Sequence, residues 1–383
     1  MKRRSLLASA IAVAFQIFAG PTQAQEPIRV GAIVSTTGPL AFIGEPEARS
    51  LRLYVDSLNS QGGVLGRKIE LISYDDASDA AKANGLAKRL VENDRVDALL
   101  CGASTGSSMA IVPIAEKAGV PFLSCAGGAV VVEPVKRFTF KTPGTDRMQT
   151  ERAFADMKKR GIQRVALLSE TSGYGQSGRK EVLNAAPKFG IQIIADETYG
   201  AKDADITAQL TKIKSIADVQ AIFAFGAGQA SVTLNKNLAQ LGMTLPHYES
   251  AGAATTEYVR LSGASAEGVR VVGTALLVPS QLSDNDPQKP VVLAYAKSYS
   301  DRFKEDASPF GGYAYDTLGL YIDAVGRAQT IEKAKVRDAI EQTSGHVGIT
   351  GVFKLSPSDH MGLEGDSAFK ILQIKNGAWT LAD

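Results

Sequence analysis

The sequence predicts an α/β protein: two similar doubly wound parallel-sheet lobes joined by three crossings. Three observations carry this. Short β-branched apolar runs alternate with helical patterns along most of the chain, as in parallel sheets covered on both faces. The alternation falls into two series, with a break near residue 142. At roughly 100–200 residues per domain, the 383 residues suit two such units. The composition, 44% hydrophobic and 21% charged, excludes a coiled coil, a collagen-like chain and a long disordered protein. Forty-two basic and 40 acidic residues leave a net charge of +2, which speaks against a nucleic-acid partner. Three His and two Cys speak against a metal centre built on clustered ligands.

Residues 1–24 read as a secretory signal peptide. Lys2, Arg3 and Arg4 precede an apolar run over 6–19, then Gly20, Pro21 and a small-residue cleavage site ending at Ala24. The apolar run falls short of the ~20 residues a span needs, and no later stretch reaches that length. Loss of those three cations takes +2 to −1. The expected product is periplasmic, with no membrane span in the mature protein.

The first series opens with a strand over 28–34. Thr36-Thr-Gly-Pro-Leu-Ala-Phe-Ile-Gly44 follows as a turn, leaving Phe42 and Ile43 as apolar loop residues that either line a pocket or pack on their own lobe. A helix is expected over 45–60, stopped by Gly62-Gly63. Strands over 69–74, 96–101 and 121–125 alternate with helices near 79–92 and 107–118. The second series has strands over 164–169, 191–194, 221–225 and 269–272. Crossings are expected at 142–145, 273–279 and 348–351, with helical material over 289–341 completing the first lobe. Runs at 352–355 and 369–374, with Asn376-Gly377 and Trp379, read as a closing hairpin. The first lobe is then 25–144 plus 276–347, the second 145–275 plus 348–383. Two open sheets facing each other bind ligands between the carboxyl ends of their strands.

The candidate site residues sit at those ends. Gly102-Ala103-Ser104-Thr105-Gly106 follows a strand and opens a helix. Free backbone N–H groups and two hydroxyls there suit a carboxylate, although Ser and Thr also serve as ordinary helix caps. Ala126-Gly127-Gly128 follows the next strand and permits close backbone approach. Cys101 and Cys125 end neighbouring strands; in an oxidising compartment they are either bridged or free. In the second series, Tyr174 offers a ring face and a hydroxyl. The glycine-rich stretch around it lacks the Lys-Ser/Thr of a P-loop. Gly226 and Ala227 resemble half of a dinucleotide fingerprint, whose third glycine is absent. No cofactor is expected. Ala251 lies at a further strand end.

These features carry a family resemblance. Thr37-Gly-Pro39, Asn59-Ser-Gln-Gly-Gly-Val-Leu-Gly-Arg67, Tyr74-Asp-Asp-Ala77, Ile114-Ala-Glu-Lys-Ala-Gly-Val-Pro121, Tyr174-Gly175, Ser265-Ala-Glu-Gly268 and Tyr313-Ala-Tyr-Asp316 occur in this order. With that spacing the chain resembles the periplasmic solute-binding proteins of the branched-chain amino-acid type, which serve ABC transporters. The resemblance covers nearly the whole mature chain. It implies the type I periplasmic-binding-protein fold, no catalysis, and a small carboxylate clamped between lobes by hinge closure. It also implies an ABC permease in the inner membrane as partner. Gly102–Thr105 and Ala126–Gly128 would hold the carboxylate, and Tyr174 would be the second-lobe aromatic. The family's second-lobe acid aligns with Ala251, two residues after Glu249. The expectation is therefore an aromatic or hydrophobic acid without an ammonium, with a branched-chain amino acid as the alternative if Glu249 enters the cleft. A family disulfide partner is replaced by Ser78.

Two other readings stand beside this one. Gly102-Ala-Ser104-Thr-Gly106 matches G-x-S-x-G, and Asp316 and His360 follow in the serine-hydrolase order. Against that, His360 sits in a polar stretch expected to be an exposed loop. A ligand sensor of the same fold is the second alternative.

Overall fold

The computed structural model describes residues 26–363 and 367–382; the expected signal peptide lies outside them. The first series folds as β1 (Ile28–Val34), α1 (Ala41–Ser60), β2 (Ile69–Asp75), α2 (Ala80–Glu92), β3 (Ala98–Cys101), α3 (Thr105–Ala118), β4 (Phe122–Ser124) and β5 (Thr139–Lys141). The second continues with α4 (Asp146–Lys159), β6 (Arg164–Glu170), α5 (Gly173–Phe189), β7 (Gln192–Tyr199), α6 (Thr207–Ser215), β8 (Ala221–Phe225), α7 (Gln229–Gln240), β9 (His247–Glu249), α8 (Thr256–Ser262) and β10 (Arg270–Gly273). Then come α9 (Gln288–Phe303), α10 (Pro309–Ala328), α11 (Lys333–Glu341), β11 (Ser344–Val347), β12 (Val352–Lys354), β13 (Lys370–Lys375) and β14 (Ala378–Leu381).

One sheet has the order β2-β1-β3-β4-β5 and is parallel throughout. The other runs β7-β6-β8-β9-β10, parallel, and is extended by the antiparallel pair β13-β14. Both series thus share one winding. In each, the order reverses between the first and third strands of the series, leaving a crevice at their carboxyl ends. The first strands β1 and β6 are apolar on both faces and almost wholly buried, as a sheet covered by helices on both sides requires. Helix α10 is buried nearly all round and packs against α1 and β3.

Glycines make the first strand–helix turn of each series tight. A Cβ on Gly44 would lie 2.3 Å from the backbone of Ser35, at the end of β1. A Cβ on Gly175 would lie 2.0 Å from the backbone of Glu170, at the end of β6. Only glycine lets the helix start this close to the strand it follows.

Four expectations need correction. Helix α1 begins at Ala41, so Phe42 and Ile43 are helical and not loop residues; Pro46 lies inside the helix, past its first turn, where it gives up one i→i−4 bond. The short strand β5 was not expected, its three residues carrying too little pattern to read, whereas β9 is the strand expected to end just before Ala251. The run 352–355 does not join the closing hairpin. Its strand β12 pairs with β11, and the hairpin is β13–β14 about Asn376 and Gly377, both with positive φ. Finally, His360 is 1% exposed. Its backbone carbonyl accepts from the Lys141 N–H, and its ring stacks on Phe140 at 4.1 Å. The stretch 348–363 therefore stays beside the first sheet, and the last passage to the second sheet comes after Leu363 rather than at 348–351.

Candidate functional site

A cavity of 340 Å³ lies between the carboxyl ends of the two sheets, within the ~300–1,000 Å³ usual for small-molecule sites. One wall belongs to the first series. Its polar part is the start of α3, where Ser104 caps the helix by accepting from Ser107 N at 3.0 Å. The Ser104 hydroxyl donates to Ser107 Oγ, and that hydroxyl donates to the buried Asp76 carboxylate at 2.7 Å. Asp76 also accepts from Ser35 Oγ and Ser78 N, so one acid aligns the ends of β1, β2 and β3. Ser78 donates to Thr37 O and accepts from Leu40 N.

Thr105 follows the cap. It is 3% exposed, lines the cavity, and its Oγ1 has no hydrogen-bond partner. Leu40 just before α1, Ile43 from α1, and Phe310 and Tyr313 from α10 form the apolar part of this wall.

The other wall is the start of α5. Ser172 caps it by accepting from Gly175 N. A Cβ on Gly173 would lie 3.5 Å from Gly106 N, so two helix N-termini converge on one space. Each offers free N–H groups and the positive end of its dipole. Tyr174 donates to Gln149 Oε1 at 2.8 Å, and the same oxygen accepts from Ala251 N at 2.9 Å. Glu170 also lines the cavity. It is 5% exposed, accepts from Ala227 N at 3.3 Å, and pairs with no basic side chain among the described residues. Burial raises its carboxyl above the ordinary range, against hydrogen bonds from Ser172 and Ala227 that pull it down.

Of the expected site residues, Ile43, Ala103, Ser104, Thr105, Gly127, Tyr174, Ala227 and Ala251 line this cavity. The others stand behind it. Phe42 packs edge-on to Phe310 and under Gly228. Gly102 turns with φ +68 toward Ser108 and Ile111. Ala126 is buried with Val131 and Val132. Gly128 abuts the Thr105 side chain, and Gly226 lies under the Tyr199 hydroxyl. Gln149, Glu170, Phe310 and Tyr313 were not among the expected residues. Tyr313 stood in a quoted motif and Phe310 three residues before it, whereas Glu170 is one residue past the expected end of its strand.

The expected lack of a second-wall acid is also corrected, since Glu170 is one. Glu249 does not reach the cavity; it is fully buried opposite His247 at 3.3 Å. Nor do the hydrolase candidates meet. Asp316 accepts from Ile349 N, Thr350 N and Thr350 Oγ1, and His360 bonds Thr139 O and Glu341. Ser104 is engaged with Ser107.

Lys141 is fully buried below the cavity. Its Nζ donates to Gly127 O at 2.9 Å and reaches Gly144 O at 3.5 Å, tying the cavity loop to the first crossing. Burial lowers its pKa to about 7, in spite of Asp146 and Glu133 nearby. Cys101 and Cys125 are free thiols, both buried.

A sequence profile described as periplasmic binding protein matches residues 27–378. The leucine-, isoleucine-, valine-, threonine- and alanine-binding protein of Pseudomonas aeruginosa is 25% identical over 358 residues, covering 91% of each chain. The Leu/Ile/Val-binding protein of Escherichia coli is 24% identical over 355 residues, covering 90% of each. An extracellular ligand-binding receptor from Rhodopseudomonas palustris superposes with a TM-score of 0.86 at 26% identity, covering 93% of this chain and 99% of the other. A branched-chain amino acid transporter substrate-binding protein from Streptococcus pneumoniae, solved with isoleucine, gives 0.80 at 25% identity, over 92% and 97%. Among the described residues no helix is long and apolar enough to cross a membrane.

Proposed function

Because the chain belongs to the periplasmic binding protein family, we propose that it is the solute-binding component of an ABC importer and clamps a small amino acid with an apolar side chain. The observation that carries the ligand class is the pairing of opposite needs across one cavity. On one side, the start of α3 and the unpartnered Thr105 hydroxyl suit a carboxylate. On the other, Glu170 is a buried acid that pairs with no basic side chain among the described residues, a costly arrangement unless a cation joins it. A zwitterion answers both. Leu40, Ile43, Phe310 and Tyr313 supply the surface for an apolar side chain. The curated relatives above, named for binding leucine, isoleucine and valine, support the same class.

The mechanism is closure. The two walls belong to different sheets, so a ligand touches both only when they approach, and its binding shifts the population toward that state. Residues 142–145, held by Lys141 and by Thr142 Oγ1 donating to Tyr313 O, form one of the strips about which they turn.

Calorimetry tests this with leucine, isoleucine, valine and phenylalanine, each beside its analogue lacking the amine. The amino acids are expected to bind and the analogues to bind far more weakly. Glu170→Gln should weaken amino-acid binding by about 1.5–3 kcal/mol, the range for a hydrogen bond to a charged group. As pH falls through the raised Glu170 range, the acid gains a proton and loses its attraction for an ammonium, so affinity should drop in the parent and stay flat in Glu170→Gln. Tighter binding of the amine-free acids would reverse the assignment.

A further inference from the structure

Cys101 and Cys125 have a role that ligand binding does not use. Their Sγ atoms lie 2.8 Å apart at the ends of the adjacent strands β3 and β4, and Cys125 N donates to Cys101 O. A disulfide needs about 2.05 Å, so a small side-chain movement closes the gap. Cys101 also holds φ at +71, a left-handed conformation that is strained for a non-glycine residue. Beside the pair lies Glu47, whose ligand oxygen and both sulfurs fall within 4.8 Å of one another. Glu47 is fully buried, and neither carboxylate oxygen has a hydrogen-bond partner.

Each cysteine immediately precedes a cavity loop: Cys101 leads into Gly102–Thr105, and Cys125 into Ala126–Gly128. Cys125 itself lines the cavity, whereas Cys101 lies behind it.

We infer that Cys101 and Cys125 are a redox pair whose disulfide staples the two cavity loops and tightens ligand binding. The oxidant is a small disulfide such as glutathione disulfide, entering through the cavity. The Cys125 sulfur attacks one glutathione sulfur, its thiol proton passing to the other, which leaves as glutathione thiol. The Cys101 sulfur then attacks Cys125, a new S–S bond forms, and the second glutathione leaves. Two protein thiols become one disulfide, and one glutathione disulfide becomes two thiols carrying the two protons. Burial raises both protein thiols above their ordinary range, so exchange is slow while the cavity is closed and filled. The affinity readout rests on the amino-acid ligand proposed above; the thiol readout does not.

The test uses the full folded protein, equilibrated in glutathione buffers from reducing to oxidising. Alkylation after unfolding without reductant counts the thiols by mass. The expected result is a reversible passage from two alkylated thiols to none. The oxidised form should bind leucine about tenfold more tightly, a typical coupling between two sites. Bound leucine should slow the exchange, and Cys101→Ser should bind equally in both buffers. Two thiols alkylated at every glutathione ratio would overturn the redox pair. So would a stoichiometric zinc or copper ion protecting both sulfurs from alkylation. Equal affinity of the two forms would overturn the coupling to the ligand. If none of the amino acids binds while the thiols interconvert, the amino-acid reading fails and the redox pair stands.

Discussion

Two residues show how single side chains divide between holding the site and serving it. Thr105 is buried with its hydroxyl unused, whereas Asp316 spends both oxygens on the backbone of Ile349 and Thr350. Thr105→Val keeps the shape and removes the hydroxyl. It should leave the melting temperature unchanged or raised while weakening ligand binding by about 1–3 kcal/mol in calorimetry. Asp316→Ala should do the reverse. It strands two buried N–H groups, so thermal or urea unfolding should show a loss of about 2–5 kcal/mol. Equal losses of stability in both variants would mean that the Thr105 hydroxyl is structural too. Neither role is legible in the one-dimensional pattern, because neither the start of α3 at Thr105 nor the interior of α10 at Asp316 says which groups will face the side chain.

At the level of elements, the site is two helix starts held close by small residues. A Cβ on Gly127 would meet the Tyr174 ring at 2.9 Å, so this glycine lets a loop of the first sheet touch a helix of the second. Gly127→Val should cost about 1–3 kcal/mol by overpacking. That cost falls only on the closed form, so it appears as a weaker dissociation constant in calorimetry with little change in unfolding of the ligand-free protein. The strand and helix series were legible because they are long and periodic. The start of α1 was not: Gly38 and Pro39 read as a turn running on to Gly44, yet tertiary packing against Ser35 carries the helix back to Ala41. That four-residue shift moves Phe42 and Ile43 from a loop onto a helix, where Ile43 faces the cavity and Phe42 packs beside it.

For the whole molecule, two fully buried ionisable groups set opposite pH slopes. Asp316 is raised by burial from 3.8 to about 6, so the folded form holds its proton more tightly and stability falls as pH rises from about 4 to 6. Lys141 is lowered by burial from 10.5 to about 7, so the unfolded form binds the extra proton and stability rises as pH climbs from about 7 to 10. Melting temperatures of parent and Lys141→Met should therefore diverge with pH. The parent should gain relative to the variant between pH 7 and 9, because only the parent loses a buried charge there. A parent and variant that change in parallel would show that Lys141 is not buried as a cation near neutral pH.

The amino-acid sequence by itself determined the architecture, the family and the loops that form one wall, because periodicity, turn residues and strand ends are local properties. Gly102–Thr105 could be placed at a strand end without knowing what faced it. The tertiary structure alone decided which side chains share a space. Glu170 and Thr105 are 65 positions apart in the chain but line one cavity, because the shared winding of the two sheets turns both crevices toward each other. It also decided that His360, polar in its neighbours, is buried against Phe140, and that Glu249 pairs with His247 instead of entering the cleft. A ligand's charge is read from what is missing on facing walls, and only a folded chain has facing walls.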